Sequence, residues 1–182
     1  RTPSKDIALM NDFEAKIEKI AKISSQENVT NIAGVPSWML VLFKRILETT
    51  GAKHMHEVWP NLELYMHGGV SFSPYRKQFE KLLPNGVNYL ETYNASEGFF
   101  GIQDKRKSEE MLLMLDYGIF YEFIPMDYYD LQNTVPIWGV KPNKNYALVI
   151  TTNAGLWRYL IGDIITFTNT QPYRFKITGR IS

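Results

Sequence analysis

The sequence predicts a mixed α/β fold, in which a parallel βαβ-type unit in a helix-rich first part is followed by an antiparallel, strand-rich part. Three observations predict it. Apolar residues recur every three or four positions up to about residue 50, short apolar runs bounded by glycine, proline and asparagine follow, and strand-like segments dominate after Gln103. We therefore expect an α/β part over residues 1–103 and a β-rich part over residues 104–178.

Two amphipathic helices are predicted first. Over residues 4–24, one apolar face is formed by Ile7, Met10, Phe13, Ile17, Ile20 and Ile23. The second helix opens at residues 34–37, with Pro36 tolerated in its first turn, and Gly51 ends it.

Strands follow from residue 62 onward. A strand over residues 62–66 runs into Gly68 and Gly69, a short helix follows between Pro74 and Leu83, and a second strand covers residues 87–93. Because strand, helix and strand in this order form a βαβ-type unit, we expect parallel pairing there. Residues 111–115 and 120–123 are expected to form a hairpin. Largely antiparallel strands are then predicted over residues 146–152, 156–159, 164–168 and 173–177.

The composition is that of a soluble globular domain. Its 182 residues are 45% hydrophobic and 21% charged, with a formal net charge of +1. This charge gives no electrostatic reason to expect nucleic acid or an anionic membrane as a partner, and no apolar run approaches the roughly 20 residues of a membrane span. The chain has no cysteine, which excludes disulfides and a cysteine nucleophile and favours a cytoplasmic location. The oligomeric state stays open.

The first candidate site is the segment from Glu91 to Gly98, a predicted strand that ends in a turn of small and polar residues. Open α/β sheets bind ligands at the carboxyl ends of their strands. Mg²⁺ prefers one or two carboxylates together with phosphate oxygens and water, so Glu97 alone is a sufficient protein ligand. The Ser96 hydroxyl is able to donate to a phosphate. The alternative is a hairpin in which Asn94 and Ser96 serve only the turn geometry.

The second candidate site is the segment from Gly155 to Asp163. An ionised Asp163 has enough lone pairs to accept hydrogen bonds from two vicinal ribose hydroxyls. The alternative is that Gly162 and Asp163 form an ordinary turn between two strands. For Arg158, contact with a phosphate and pairing with a neighbouring acid both stay open.

Other chemistry-bearing residues indicate no site of their own. The segment around Gly68 and Gly69 lacks the Lys-Ser/Thr ending of a Walker loop, so these glycines are expected to let the backbone approach a flat ring. His54 and His56 have no further ligand at a suitable spacing beyond Glu57, which favours a loop role over a metal site. No Gly-x-Ser-x-Gly nucleophile elbow occurs.

Taken together, the motifs resemble the acyl-acid–amido synthetases of the auxin-responsive Gretchen Hagen family, within the adenylate-forming acyl-CoA synthetase, peptide synthetase and luciferase superfamily. The resemblance rests on their order along nearly the whole chain rather than on any one of them. The segments that carry it are Gly34–Met39, Gly68–Gly69, Tyr93–Glu97, Thr151–Tyr159, Gly162–Asp163 and Gly179–Arg180.

The resemblance implies an adenine-nucleotide site with ATP or AMP and Mg²⁺ as cofactors. Tyr93 would stack on adenine, Glu97 would hold Mg²⁺ and Asp163 would bind the ribose hydroxyls. Ser96 would face the phosphates and act with Glu97 in catalysis. The remaining implied nucleotide contacts are Gly68, Gly69, Asn94, Ala95, Arg158 and Arg180, and the implied border of the acyl-acid pocket is Pro36, Ser37, Trp38 and Met39.

The resemblance also implies the partners and the domain limits. A carboxylic acid would be adenylated and passed to an amine such as an amino acid; the alternatives are a thiol acceptor, or a non-catalytic module that binds a small acid or a protein. Residues 1–178 would be part of the large N-terminal adenylation domain, and residues 179–182 would begin a hinge to a C-terminal lid. A phosphate loop and that lid are expected outside these residues, so this piece alone is expected to be inactive. Leu160 departs from the family, which often has an arginine there.

Overall fold

A computed structural model describes residues 2–181, and the chain divides into two compact units, the first ending at Leu90 and the second beginning at Glu91. The first unit mixes helices with a parallel strand pair and the second is built of antiparallel strands, so the predicted α/β class is confirmed. The domain limits predicted at residues 103 and 178 stay predictions. Within residues 2–181, no helix is long and apolar enough to cross a membrane.

Two helices open the first unit where the sequence predicted one: α1 (Lys5–Ala8) and α2 (Phe13–Ser24). Asp12 lies between them in an extended conformation, and its carboxylate accepts a hydrogen bond from the backbone N–H of Ala15 at 3.0 Å. Such a cap satisfies an amide that the first turn of a helix leaves unpaired. The prediction of one continuous helix is therefore wrong at residues 9–12, because the cap starts a new helix.

The second predicted helix is confirmed as α3 (Pro36–Thr50). Gly51 follows it with a φ of 72°, and its backbone N–H donates to the carbonyl of Leu47 at 2.9 Å. Glycine adopts this left-handed conformation without the steric cost that a Cβ brings, which is why the helix ends there.

Parallel strands β1 (Asn31–Ala33) and β2 (Leu64–Gly68) form the sheet of the first unit. Between them in the chain come α3 and the short helix α4 (Met55–Val58), and after them comes α5 (Arg76–Leu82). β1 was not predicted, because three residues carry too little pattern. The parallel pairing predicted between the strands near residues 62–66 and 87–93 stays a prediction. The core of the unit contains Ala21, Ile32, Met39, Phe43, Ile46, Met55, Trp59, Leu62, Tyr65, Phe72, Phe79 and Leu83.

The second unit is an antiparallel sheet. Its strands are β3 (Asn88–Ala95, which begins before the unit boundary), β4 (Gly98–Ile102), β5 (Met111–Leu113), β6 (Ile119–Pro125), β7 (Val135–Pro136), β8 (Asn145–Thr152), β9 (Tyr159–Thr170) and β10 (Tyr173–Arg180). They lie in the order β3-β4-β5-β10-β9-β8-β6-β7.

The hairpin predicted between residues 111–115 and 120–123 is wrong. β5 pairs with β4 and β10, whereas β6 pairs with β7 and β8. The whole of β6, from Ile119 to Pro125, has partners on β8 from Thr152 to Tyr146. A three-residue β5 offers far fewer ladder hydrogen bonds than β8 does, so β6 pairs with the longer strand.

The prediction of two strands separated by a turn at Gly162 and Asp163 is also wrong, because both residues lie inside β9. Gly162 has a φ of 91°. A glycine inside a strand often marks a local irregularity rather than its end, so a sequence pair typical of turns is accommodated here without ending the strand.

One face of this sheet forms the core of the second unit. It buries Tyr93, Phe100, Met111, Leu113, Tyr121, Phe123, Val140, Tyr146, Leu148, Ile150, Ile165, Phe167 and Phe175. A smaller cluster of Ile124, Ala147 and Val149 is separate from it. Seven of the thirteen residues of the larger core are aromatic, so aromatic rings make up about half of it.

Candidate nucleotide site

Two of the predicted site residues meet in the second unit. The Tyr93 hydroxyl on β3 donates a hydrogen bond to Oδ2 of Asp163 on β9 at 2.6 Å, across 70 positions of the chain. Three strands lie between β3 and β9 in the sheet order. In a flat sheet with strands about 4.8 Å apart, β3 and β9 would be roughly 19 Å from each other. The sheet therefore curls, and its curl brings these two side chains together.

The carboxylate of Asp163 also lies near a cation. Arg180 on β10 is the Cα partner of Asp163 in the antiparallel register, and its Nε lies 3.9 Å from Oδ1 of Asp163. The Asp163 side chain is 19% exposed and that of Arg180 is 76% exposed. This distance is too long for a hydrogen bond, so the lone pairs of Oδ1 stay available to another donor.

The local backbone fixes the carboxylate where it lies. Gly162 precedes Asp163, and its φ of 91° is one that L side chains rarely adopt. The carbonyl of Gly162 accepts a hydrogen bond from the backbone N–H of Ile181 at 2.7 Å. The glycine therefore lets the strand bend just before Asp163 while β9 and β10 stay joined.

Tyr93 is a protonated donor in this arrangement. Burial raises the pKa of its phenol, the hydrogen bond to Asp163 raises it further, and the positive charge of Arg180 opposes both. The negative charge of Glu97 also acts to raise the pKa of Tyr93, so the carboxylates of Asp163 and Glu97 both influence the same phenol. A neutral phenol has one O–H to donate, and here it donates to Asp163.

The turn between β3 and β4 carries Ser96 and Glu97. Ala95 and Gly98 are paired across this hairpin, so Ser96 and Glu97 are its two loop residues. Asn94, Ala95 and Ser96 are exposed, and Glu97 is half-buried. β3 and β4 therefore form a hairpin, and both a ligand role and a purely structural role for this turn stay predictions.

Glu97 fits a one-carboxylate Mg²⁺ site. Among residues 2–181, its carboxylate has no hydrogen-bond or ion-pair partner. The same residues contain no group of three or more His, Asp or Glu side chains arranged to hold a metal ion. Mg²⁺ accepts a single protein carboxylate when phosphate and water oxygens complete its shell, and the assignment of Glu97 to that ion stays a prediction.

Arg158 pairs with an acid. Its Nε lies 3.2 and 3.1 Å from the two carboxylate oxygens of Glu122 on β6, and its Nη2 donates to the carbonyl of Leu131 at 3.2 Å. The Thr134 hydroxyl donates to the same carboxylate at 2.8 Å. Of the two alternatives from the sequence, the acid pairing is the one present, and a nucleotide contact by Arg158 stays a prediction. Sequence reasoning missed Glu122, although a single acid inside an apolar strand was a usable signal.

The other candidate residues lie in the first unit. Gly68 ends β2 and Gly69 follows with a φ of 82°, where a Cβ would lie 3.4 Å from Cγ2 of Val35. Because L side chains rarely adopt this φ, a glycine suits position 69. A contact with adenine stays a prediction.

The start of α3 presents one exposed ring. Pro36 and Met39 are buried and Ser37 is half-buried, whereas Trp38 is 66% exposed. The Trp38 ring packs edge-on against Phe13, with 6.4 Å between the ring centroids. Only Trp38 of these four therefore offers a large accessible surface, and the acyl-acid pocket stays a prediction.

Comparison with known proteins gives first the fold and then the family. The solved structure of the GH3.15 acyl acid amido synthetase has a similar fold: it superposes with a TM-score of 0.78 at 16% identity, covering 97% of this chain and 42% of that one. Residues 1–88 match the GH3 family N-terminal domain and residues 112–180 match the GH3 family central domain. The chain belongs to the GH3 family, and the resemblance inferred from its motifs is confirmed.

Curated relatives are amido synthetases and ligases. The indole-3-acetic acid-amido synthetase GH3.2 of Arabidopsis thaliana is 31% identical over 143 residues, which are 68% of this chain and 25% of that protein. The 4-substituted benzoates-glutamate ligase GH3.12 of Arabidopsis thaliana is 37% identical over 133 residues, 68% of this chain and 22% of that protein. The chain thus spans about a quarter of the length of the curated relatives it matches.

Proposed function

We propose that this chain is the nucleotide-binding part of an ATP-dependent acyl-acid amido synthetase. The observation that carries the proposal is the hydrogen bond of 2.6 Å between Tyr93 and Asp163, with Arg180 beside the same carboxylate. Three motifs that are far apart in the sequence supply these residues, and the family resemblance implies a nucleotide contact for each of them. The names of the relatives, as amido synthetases and as a glutamate ligase, support an acid and an amino acid as substrates.

The proposed reaction has two steps. A carboxylate oxygen of the acid attacks the α-phosphorus of ATP, the bond to the bridging oxygen breaks, and pyrophosphate leaves. The nitrogen of an amine then attacks the acyl carbon, AMP departs, and the amine loses a proton, which leaves an amide. Charge and alignment dominate the barrier of the first step.

This chain's own residues would bind and orient the nucleotide. Asp163 would accept hydrogen bonds from the ribose hydroxyls, and Ser96 would donate to a phosphate oxygen. Glu97 would hold Mg²⁺, which when bound would neutralise developing charge on the phosphate oxygens. Gly68 and Gly69 would run beside the base. Arg180 would lie at the start of the hinge that the family resemblance implies.

Acid-dependent exchange of pyrophosphate into ATP tests the proposal. The protein used is the longest polypeptide that the gene encodes, supplied with a mixed pool of carboxylic acids. Exchange is expected, and omitting the acids one at a time identifies the substrate. A folded protein that gives no exchange with any acid would contradict the proposal and favour a non-catalytic binding module.

Two variants test the assigned roles. Asp163→Ala is expected to weaken nucleotide binding by about 1.5–3 kcal/mol, because charge-assisted hydrogen bonds to the ribose are lost. Glu97→Ala is expected to abolish most exchange while the protein stays folded. Glu109→Ala is the matched control, since it removes an acid that is 70% exposed and pairs with Lys176 at 3.1 Å. Wild-type exchange in Glu97→Ala would remove the metal assignment, and unchanged affinity in Asp163→Ala would remove the ribose assignment.

The acceptor and the location are part of the proposal. Product analysis with amino acids and with coenzyme A in parallel separates an amide from a thioester; a thioester alone would replace the amine by a thiol. The absence of cysteine from all 182 residues agrees with a reducing cytoplasm. Cell fractionation tests that location.

A further inference from the structure

Tyr93 presents its hydroxyl, rather than an open ring face, to the site. The residue is 5% exposed, and its ring lies against Phe100 and Phe175 at centroid distances of 5.0 and 6.0 Å. Its hydroxyl is committed to Oδ2 of Asp163. A ring that only stacked on a base would not need a hydroxyl, so this hydrogen bond calls for a separate explanation.

We infer that Tyr93 is a positioning residue whose hydroxyl holds the Asp163 carboxylate in the orientation that recognises the two vicinal hydroxyls of a ribose. The inference rests on the proposed function, because it assumes that Asp163 binds a nucleotide. It goes beyond that function in assigning selectivity for the sugar to a residue that the family resemblance assigns to the base.

The carboxylate keeps enough acceptor capacity for this task. A carboxylate offers about four lone-pair positions. The Tyr93 hydroxyl uses one on Oδ2, and the guanidinium of Arg180 uses none, since Nε lies 3.9 Å from Oδ1. Both oxygens therefore retain free lone pairs, as bidentate recognition of adjacent hydroxyls requires.

The hydroxyl also keeps the Asp163 carboxylate from forming a direct ion pair with Arg180. Arg180 is 76% exposed and carries a positive charge close to the same carboxylate. Without the anchor on Oδ2, Asp163 is free to turn about χ1 and χ2 and close the gap to Arg180 as a direct ion pair. That rotation would take the carboxylate oxygens out of the geometry that a diol needs.

The anchor is itself rigid. The ring of Tyr93 is confined between Phe100 and Phe175, both of which are fully buried. A confined ring has few rotamers to lose when the hydroxyl makes its bond. Phe100 lies on β4 and Phe175 on β10, so side chains from two different strands confine the ring that carries the hydroxyl.

Tyr93→Phe is the decisive variant, because it keeps the ring and removes only the hydroxyl. Tyr121→Phe is the matched control: Tyr121 is buried in the same core, and its hydroxyl donates to the backbone carbonyl of Met114 at 2.9 Å. Equilibrium affinities for AMP, 2′-deoxy-AMP and 3′-deoxy-AMP are measured calorimetrically on the longest polypeptide that the gene encodes. The wild type and Tyr121→Phe are expected to prefer AMP by about tenfold or more, and Tyr93→Phe is expected to lose most of that preference.

The outcomes separate this inference from the proposed function. If the wild type prefers AMP and Tyr93→Phe keeps that preference, the positioning role is wrong and the nucleotide site stands. If the folded wild type binds no adenine nucleotide, the proposed function fails and the inference fails with it. If Tyr121→Phe loses the preference for AMP equally, the loss comes from a general disturbance of the core rather than from the Tyr93 hydroxyl, and the inference is overturned.

A second pair of variants keeps the test available if Tyr93→Phe does not fold. These variants are Asp163→Asn and the double variant Tyr93→Phe/Asp163→Asn. Neither contains an Asp163 carboxylate that has lost the Tyr93 hydroxyl as its partner. Asp163→Asn is expected to lose the preference for AMP, and adding Tyr93→Phe is expected to change it no further. A further loss in the double variant would mean that Tyr93 acts independently of Asp163, which would overturn the inference.

Discussion

Replacement of Arg174 by methionine should destabilise the second unit by much more than the loss of an ordinary surface ion pair. Arg174 lies on β10 and donates to both carboxylate oxygens of Asp104, from Nε at 3.0 Å and from Nη2 at 2.6 Å. The Arg174 side chain is 9% exposed and that of Asp104 is 27% exposed. Methionine keeps most of the packing of the aliphatic stem, so the change isolates the charge and its hydrogen bonds.

The expected magnitude lies between two limits. Breaking a fully buried ion pair costs about 3–5 kcal/mol, because a charge is left buried alone, whereas an exposed pair contributes about 0–1 kcal/mol. Asp104 is partly open to water and regains some hydration, so we expect Arg174→Met to lower the free energy of unfolding by about 2–3 kcal/mol. The matched control is Lys176→Met on the same strand: Lys176 and Glu109 are 40% and 70% exposed, and we expect about 0.5 kcal/mol or less.

Lowering the pH should remove the difference in the free energy of unfolding between the wild type and Arg174→Met. The hydrogen bond from Arg174 is the main cause that lowers the pKa of Asp104 below its usual value, against the opposing effect of burial. A group whose pKa is lower in the folded state than in the unfolded state stabilises the fold at pH values above its unfolded-state pKa. This stabilisation is lost as the pH falls through the folded-state pKa. The gap between wild type and Arg174→Met should therefore be constant near neutral pH and shrink below about pH 4.

Urea denaturation at a series of pH values measures both effects through the midpoint and the slope. A loss in Arg174→Met no larger than that in Lys176→Met would refute the argument from burial. A gap that does not change between pH 7 and pH 3 would refute the role of the Asp104 carboxylate.

Two further predictions concern other buried contacts. Burial lowers the pKa of His67 to about 4, and the positive charge of Arg76 lowers it further. Between pH 6.5 and 4 the unfolded state therefore binds a proton that the folded state does not. The free energy of unfolding should fall by up to about 1.4 kcal/mol for each unit by which the pH is lowered through this range. Urea titrations should find this slope in the wild type and a flatter one in His67→Phe; equal slopes would contradict the assignment. Gly101→Ala would bring a Cβ within 2.7 Å of the Phe175 ring. Overpacking of about 1–3 kcal/mol, less the 0.5–1 kcal/mol that alanine gains in a strand, should lower the free energy of unfolding by about 0–2.5 kcal/mol. Chemical denaturation should find part of that loss of stability restored in Gly101→Ala/Phe175→Leu. If no stability is restored, the loss does not come from contact between the new Cβ and the Phe175 ring.

The sequence by itself determined the class of fold, the family and the residues to examine. Helix α3 could be predicted because its signals are local: an apolar stripe, Pro36 in the first turn and Gly51 at the end. The order of the motifs, rather than their individual strength, identified the family. Antiparallel strands after residue 104 followed from short apolar runs separated by turn residues.

Only the tertiary structure decided which strands pair and which side chains meet. β5 and β6 are neighbours in the chain but not in the sheet, since strand pairing depends on what the rest of the sheet offers. Gly162 and Asp163 have the sequence of a turn and lie within a strand, because pairing with β8 and β10 outweighs a local preference. The contact between Tyr93 and Asp163 depends on the curl of the whole sheet, which is a property of many strands and is encoded at neither residue.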